Sequence, residues 1–174
     1  MQKEAKINPM PDLILPLSIV MSLLSYGLVA RWYVMPALAV MPRAKALEPL
    51  LLLHSSRHIG MAFLIPVPGV TAEVLLPRFA NPAAYGDLLA AVLALVAIVA
   101  LRWRWTAAIP LVWIFNIEGS LDLLNALYRG FRYTPDGHLV ATYFIPAVIV
   151  PALLVTHFIV FKLLLKPEAT QGES

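Results

Sequence analysis

Long apolar stretches alternate with short polar connections along the whole chain. An α-helix of about twenty apolar residues is long enough to cross a hydrocarbon core of about 30 Å. On this pattern we predict helices at approximately 13–35, 48–65, 82–101, 107–128 and 139–165. The predicted fold class is therefore all-α, a polytopic transmembrane helical bundle with about five membrane-spanning helices.

The connection between the second and third predicted helices interrupts this pattern. The second stretch ends at residues 66–69, because two prolines and a glycine cannot continue a regular helix. Residues 71–80 are apolar but short, and they contain a proline and an arginine. We therefore predict a short interfacial segment here rather than another crossing. Residues 1–166 are predicted to form a single transmembrane domain, and residues 167–174 a flexible polar tail.

Composition argues against a soluble protein. Apolar residues make up 60% of the chain, charged residues 13%, and the mean hydropathy is +0.80. A soluble domain typically carries about 25% charged residues. The net charge of +3 is too small to indicate a nucleic-acid partner. The absence of cysteine excludes disulfides, thiolate metal ligands and cysteine nucleophiles.

Basic residues are distributed unevenly between the two ends of the predicted bundle. Five crossings place seven lysines and arginines on the side of the C-terminus and five on the side of the N-terminus. Because lysine and arginine favour the cytoplasmic side of a membrane, we expect the C-terminus to be cytoplasmic.

Two carboxylates interrupt the fourth apolar stretch. Glu118 and Asp122 are four residues apart, so they share one face of a helix, with Asn125 close to the same line. Ionisable groups at such a depth are costly and must face protein or water rather than lipid. They are therefore the first candidates for a functional site.

Depth along the helices indicates which polar residues could join these acids. With a rise of about 1.5 Å per residue, four polar residues reach a similar level near mid-membrane: Arg57, His58, Asn116 and Glu118. Asp87, on the third helix, comes nearest to Asp122. Two acids at that level repel each other unless one carries a proton or a cation lies between them. The simplest role for Arg57 is to pair with Glu118 or Asp122 and hold the bundle together; the alternative is a catalytic or ligand-binding role.

Three histidines lie within the apolar stretches. His54 and His58 are four residues apart, a spacing compatible with a metal pair. His157, late in the fifth helix, returns to the side of His54, so we expect the two rings to be neighbours and consider them as haem ligands. No metalloenzyme signature accompanies them, so metal and haem are minor alternatives, and the sequence indicates no particular cofactor.

Several short runs resemble a group of small bacterial membrane proteins that are uncharacterised. These runs are His54-Ser-Ser-Arg57-His-Ile-Gly60, Tyr85-Gly-Asp87, and Phe115-Asn116 with Gly119 and Asp122. The similarity extends from Leu47 through the fifth helix. It implies a bacterial inner membrane as the setting and implies no activity.

The leading hypothesis is a membrane protein that binds or carries a small lipid-soluble ligand, such as a lipid, a quinone or an isoprenoid. Arg57, Glu118 and Asp122 would fix the polar end of this ligand. Trp113 is the one tryptophan deep enough to line the pocket. The full set of predicted pocket residues is His54, Arg57, His58, Asp87, Trp113, Asn116, Glu118, Asp122, Asn125 and His157.

Three other hypotheses use the same residues. An intramembrane enzyme would transfer protons on a lipid-soluble substrate, as in an isomerisation, with Glu118 or Asp122 as proton donor or acceptor and His58 as the complementary group. A proton or cation pathway would run through Asp87, Asp122, Glu118 and His58. In a structural subunit, the polar groups would only lock helices together.

Overall fold

The computed structural model describes residues 10–65, 76–133 and 143–166, and these residues form helices and turns with no strand among them. The α-helices are α1 (Met10–Val29), α2 (Met35–Ala39), α3 (Arg43–Ser55), α4 (Asn81–Arg102), α5 (Ala108–Tyr133) and α6 (Val150–Leu165). Wider π-helical turns span Ala30–Val34, Leu76–Ala80 and Ile145–Ile149, and a 3-10 helix spans Ser56–Leu64. The structure confirms the predicted all-α fold class.

These elements join into five helical rods, at residues 10–39, 43–64, 76–102, 108–133 and 145–165. Three stretches are long and apolar enough to cross a membrane: Leu13–Ala39, Pro77–Arg102 and Ile145–Leu165. The other two rods carry the buried arginine and the carboxylates predicted to form a site. The number of rods matches the prediction from the sequence.

Prolines explain where the rods widen. Pro77 and Pro146 lie inside two of the π-helical turns, and Pro36 comes directly after the third turn has ended. A proline lacks the backbone N–H that the regular helix would use, so the surrounding bonds rearrange. At Pro146 the last rod therefore begins with a wide turn.

The second rod differs from its prediction. It begins at Arg43 rather than near Glu48, and its last nine residues, Ser56–Leu64, wind as a 3-10 helix. This tighter winding repeats every three residues instead of every 3.6. It therefore changes which side chains of this rod share a face.

Helix α4, which forms most of the third rod, lies at the centre of the bundle. It packs against α3, α5 and the 3-10 helix. Ala90, Ala94 and Ala97 on this helix are fully buried. Because these side chains are small, they allow the backbones of neighbouring helices to approach closely. By contrast, α1 is peripheral, and it leaves Leu13, Leu17 and other large apolar side chains exposed on its outer face.

Polar contacts join the ends of the rods. At one end, the guanidinium of Arg43 donates to the carbonyl of Lys166, and Nη2 of Arg102 lies 3.1 Å from Oε2 of Glu48. At the other end, the hydroxyl groups of Ser18 and Tyr143 lie 2.8 Å apart. Residues 71–75 of the predicted interfacial segment lie outside the described residues, and residues 76–80 form the wide turn at the start of the third rod. The predicted tail at 167–174 lies wholly outside the described residues.

Candidate functional site

The guanidinium of Arg57 is the centre of the candidate site. Its Nε lies 2.8 Å from Oδ1 of Asp87 on α4, and its Nη2 lies 2.6 Å from Oδ2 of Asp122 on α5. Its Nη1 donates to the carbonyl of Gly119 at 3.1 Å. Arg57 is only 1% exposed. One buried cation therefore ties the 3-10 helix to both neighbouring helices through charge-assisted hydrogen bonds, which are stronger than neutral ones.

The 3-10 winding explains why Arg57 turns inward while its neighbour does not. His54, Arg57 and Gly60 are spaced by three residues, and all three are buried. Residues three apart share a face in a 3-10 helix, so His58 falls on another face. His58 is exposed, and its Nδ1 lies 3.1 Å from the carbonyl of Ser55. The structure thus corrects the predicted placement of His58, which assumed a regular α-helix.

Glycines make room for the two aspartates. A side chain built at Gly60 would overlap the carboxylate of Asp87, and one built at Gly86 would overlap the carboxylate of Asp122. Each aspartate therefore lies directly against backbone of a neighbouring helix. Sequence reasoning missed Gly60 and Gly86 as site residues. The sequence signal was limited to position, since Gly60 follows Arg57 by three residues and Gly86 directly precedes Asp87.

A pair of histidines lies on the other side of Arg57. The ring centroids of His54 and His157 are 4.1 Å apart, which confirms that these two residues are neighbours. The ring of Phe115 packs against both, at 5.1 Å and 5.3 Å. Arg57, Asp87 and Asp122 together form an ionic cluster. Nε2 of His157 lies 3.5 Å from Nη1 of Arg57, so the histidine pair is in contact with this cluster.

Hydrogen bonds orient both rings. Nδ1 of His157 lies 2.7 Å from Oδ1 of Asn116, whose Nδ2 donates to the His157 carbonyl at 3.3 Å. Nε2 of His54 lies 3.0 Å from the hydroxyl of Thr156. Asn116 thus makes the interhelical bond that such residues typically make within membranes. Thr156 is a further polar contact of the site that the sequence reasoning did not single out.

The geometry does not favour the metal alternatives. Within the described part of the chain, no three histidine or acidic side chains are grouped as metal ligands. His54 is buried and His58 is exposed, so this pair does not converge on one point. The rings of His54 and His157 are in contact, which leaves no room between them for a porphyrin.

The remaining predicted residues take peripheral positions. Glu118 is half-buried and interacts electrostatically with Arg57 and Asp87. Its Oε2 is buried and has no hydrogen-bond partner within the described residues. Asn125 is exposed and accepts a hydrogen bond from Nε of Arg129, one helical turn further along α5, at 3.0 Å. Asn125 therefore belongs to the helix surface rather than to the cluster.

Trp113 also lies away from the ionic cluster. Its side chain is half-buried, and its ring packs against that of Phe161 on α6 with centroids 5.7 Å apart. It contributes to the core between α5 and α6. No described contact joins it to Arg57 or to the carboxylates.

An apolar cleft adjoins the ionic cluster. Its lining residues are Leu15, Phe63, Phe79, Asp87, Leu123, Ala126, Leu127, Gly130, Phe131, Ile145, Pro146 and Val150. Asp87 is the one charged residue in that lining. The cavity is narrow, about 30 Å³, and open along part of its length. The residue that holds Arg57 is therefore also the one charged residue in the lining of the cleft.

Comparison with known proteins gives a family without an assigned activity. Residues 14–165 match the model of DUF8737, described as a domain of unknown function. The chain matches no curated protein and no solved structure. The matched range includes every residue of the ionic cluster and of the apolar cleft. Because it runs from the first helix through the last, the chain belongs to the DUF8737 family.

Proposed function

We propose that this protein is an integral protein of a bacterial inner membrane that binds a small lipid-soluble ligand in the apolar cleft. The three long apolar rods and the exposed apolar side chains of α1 support the membrane setting. The excess of basic residues on the side of the C-terminus supports a cytoplasmic C-terminus. Arg57, Asp87 and Asp122 lie in the runs that resemble small bacterial membrane proteins, and this resemblance supports a bacterial inner membrane.

The observation that carries this proposal is the double role of Asp87. Its Oδ1 accepts the hydrogen bond from Arg57, and the same residue lines the cleft. Asp87 is the one charged residue in the lining of the cleft, so it is the group that we assign to the polar end of a ligand. Arg57 itself already contacts two carboxylates and a carbonyl. The polar end of the ligand is therefore assigned to Asp87 rather than to Arg57.

The chemistry of Asp87 narrows the ligand class. A carboxylate accepts hydrogen bonds, so it is matched by a ligand with a hydroxyl group. A quinone offers only carbonyl acceptors and does not match, whereas a lipid or isoprenoid alcohol does. The cleft is lined by Leu123, Leu127 and Phe131 among others, and this apolar lining matches a hydrocarbon chain.

The test is mass spectrometry of material that co-purifies with the full chain in mild detergent. We expect one defined lipid-soluble species, bound stoichiometrically to the unaltered protein. Ala126→Phe fills the cleft and should remove that species. Leu124→Phe adds a ring at a position that is 54% exposed on the same helix, and it should retain the ligand. Absence of a bound species, or equal retention by both variants, would contradict the proposal.

Charge imbalance favours a second candidate function, the binding and movement of a proton or cation. Arg57 faces Asp87 and Asp122 directly, and Glu118 adds a third carboxylate nearby. One fixed positive charge does not balance three acids, so a proton or a cation would complete the cluster. Proton flux into liposomes, followed with a pH-sensitive dye, tests this candidate. Flux that disappears in Glu118→Gln would support it, and flux equal to that of empty liposomes would exclude it.

The intramembrane-enzyme hypothesis receives less support. It required His58 to act together with Glu118 or Asp122, and His58 is exposed on another face of its helix. The histidine that does approach the cluster is His157, which contacts Arg57 rather than a carboxylate.

A further inference from the structure

A second groove lies on the outer surface of the bundle, between the first and last helices. It has a volume of about 370 Å³, and its lining residues are Leu23, Gly27, Ala30, Arg31, Met35, Leu154, Val155, Phe158, Ile159 and Lys162. None of these residues lines the cleft at Asp87. The groove is therefore a separate site.

Two cations interrupt an otherwise apolar lining. Arg31 and Lys162 are both exposed, and neither forms an ion pair within the described residues. The Nζ of Lys162 lies 5.3 Å from the centre of the Phe158 ring, so the ammonium group stays next to the apolar lining. Two positive charges thus lie beside a long apolar surface, and no carboxylate in the described part of the chain forms an ion pair with either.

The position of these cations matches a membrane interface. Lys162 belongs to the last turn of α6, whose end contacts Arg43 through the carbonyl of Lys166. Trp32 follows Arg31 directly and is 61% exposed. Exposed tryptophans and basic residues are typical of the boundary between hydrocarbon and headgroups. The apolar part of the groove, at Leu23 and Leu154, then extends toward the hydrocarbon.

We propose that this groove binds an anionic phospholipid. The phosphate of its headgroup lies between Arg31 and Lys162, and an acyl chain follows the apolar lining between α1 and α6. A lipid such as phosphatidylglycerol has one net negative charge and compensates one of the two cations, whereas a zwitterionic lipid carries its own positive charge beside the phosphate and has no net charge to compensate either. Basic pockets between membrane helices recognise acidic headgroups by the same electrostatics.

Gly27 provides a way to close the groove without disturbing the protein. A Cβ atom built at this glycine has no other atom within 4 Å. A leucine at this position therefore extends into the groove instead of displacing a neighbour. Gly27→Leu is expected to fill the groove, and Gly27→Ala, which adds only one methyl group, is its matched control.

The experiment uses the full chain in nanodiscs that contain equal amounts of phosphatidylglycerol and phosphatidylethanolamine. The lipids that stay bound after gentle extraction are counted by native mass spectrometry. We expect the unaltered protein to retain phosphatidylglycerol preferentially. A basic residue near the membrane surface changes binding of an acidic lipid by about fivefold. Arg31→Gln and Lys162→Gln should each lower the preference by about that factor, and Gly27→Leu should abolish it.

Controls separate this site from a general attraction to positive charge. Arg104→Gln removes an exposed cation from the connection between α4 and α5, outside the groove, and should leave the preference unchanged. Inorganic phosphate at millimolar concentration should not displace the lipid, because it lacks the acyl chain. The proposal would be overturned if the unaltered protein retained both lipids equally, or if Arg104→Gln lowered the preference as much as Arg31→Gln. Melting temperatures of all variants establish that they are folded.

Discussion

Oδ1 of Asn116 lies 2.7 Å from Nδ1 of His157, and this contact determines which nitrogen of the ring carries hydrogen. The amide nitrogen of Asn116 donates to the carbonyl of His157, so Oδ1 is the acceptor toward the ring. Nδ1 is therefore the protonated nitrogen, and the lone pair of Nε2 points toward Nη1 of Arg57, 3.5 Å away. His157 thus serves as a neutral acceptor beside the buried cation.

The first prediction tests this orientation. Asn116→Leu keeps the approximate size of the side chain but removes the acceptor for the buried N–H of His157. An unsatisfied buried donor costs about 1–3 kcal/mol. The free energy of unfolding, measured by denaturant titration in mixed micelles, should fall by that amount. The control is Ser120→Ala, because the Ser120 hydroxyl bonds only a carbonyl of its own helix. Equal stability of Asn116→Leu and the unaltered protein would contradict the assignment.

The second prediction concerns the buried cation. Arg57→Met leaves the carboxylates of Asp87 and Asp122 without their counter-charge, and loss of one partner of a buried pair costs about 3–5 kcal/mol. A triple variant that adds Asp87→Asn and Asp122→Asn removes both uncompensated charges. Its free energy of unfolding should recover much of the loss, since neutral replacement of a whole buried ion cluster is often tolerated. If the triple variant is no more stable than Arg57→Met, the cluster is not coupled as the contacts indicate.

The third prediction concerns the close approach of backbone to the aspartates. Gly60→Ala places a methyl group where the carboxylate of Asp87 lies, so the carboxylate must move away from Arg57. Overpacking of this kind typically costs about 1–3 kcal/mol. Gly27→Ala is a matched control, because the same methyl group meets no atom within 4 Å there. Thermal unfolding in detergent should separate the two variants clearly, and similar melting temperatures would count against the tight contact.

Helical periodicity and depth made part of the site predictable from the sequence. The spacing of Glu118 and Asp122 indicated a shared polar face, and depth placed Asp87 near Asp122, with either a proton on one acid or a cation between the two. The structure identifies that cation as Arg57, which contacts both aspartates. Asp87 and Asp122 lie on regular α-helices, in which residue number converts directly into height and direction, and this is why their proximity could be predicted.

The prediction failed where the helix is not regular. After Ser55 the second rod changes from α-helical to 3-10 winding, and this change turns His58 away from Arg57. No proline marks the change inside that segment, and the buried Arg57 within it contacts α4 and α5. Tertiary contacts therefore determine the local geometry here.

The last prediction concerns Glu118, the carboxylate without a counter-charge of its own. Its buried Oε2 has no hydrogen-bond partner among the described residues, and Asp87 adds like charge nearby. Glu118→Gln removes this repulsion, so the melting temperature should rise. Asp122→Asn, which breaks the 2.6 Å contact with Arg57, should lower it. An acid that destabilises the fold is expected to serve function rather than stability. Glu118→Gln should therefore be stabilised yet lose proton flux, whereas a lower melting temperature would show that Glu118 is a structural partner of Arg57.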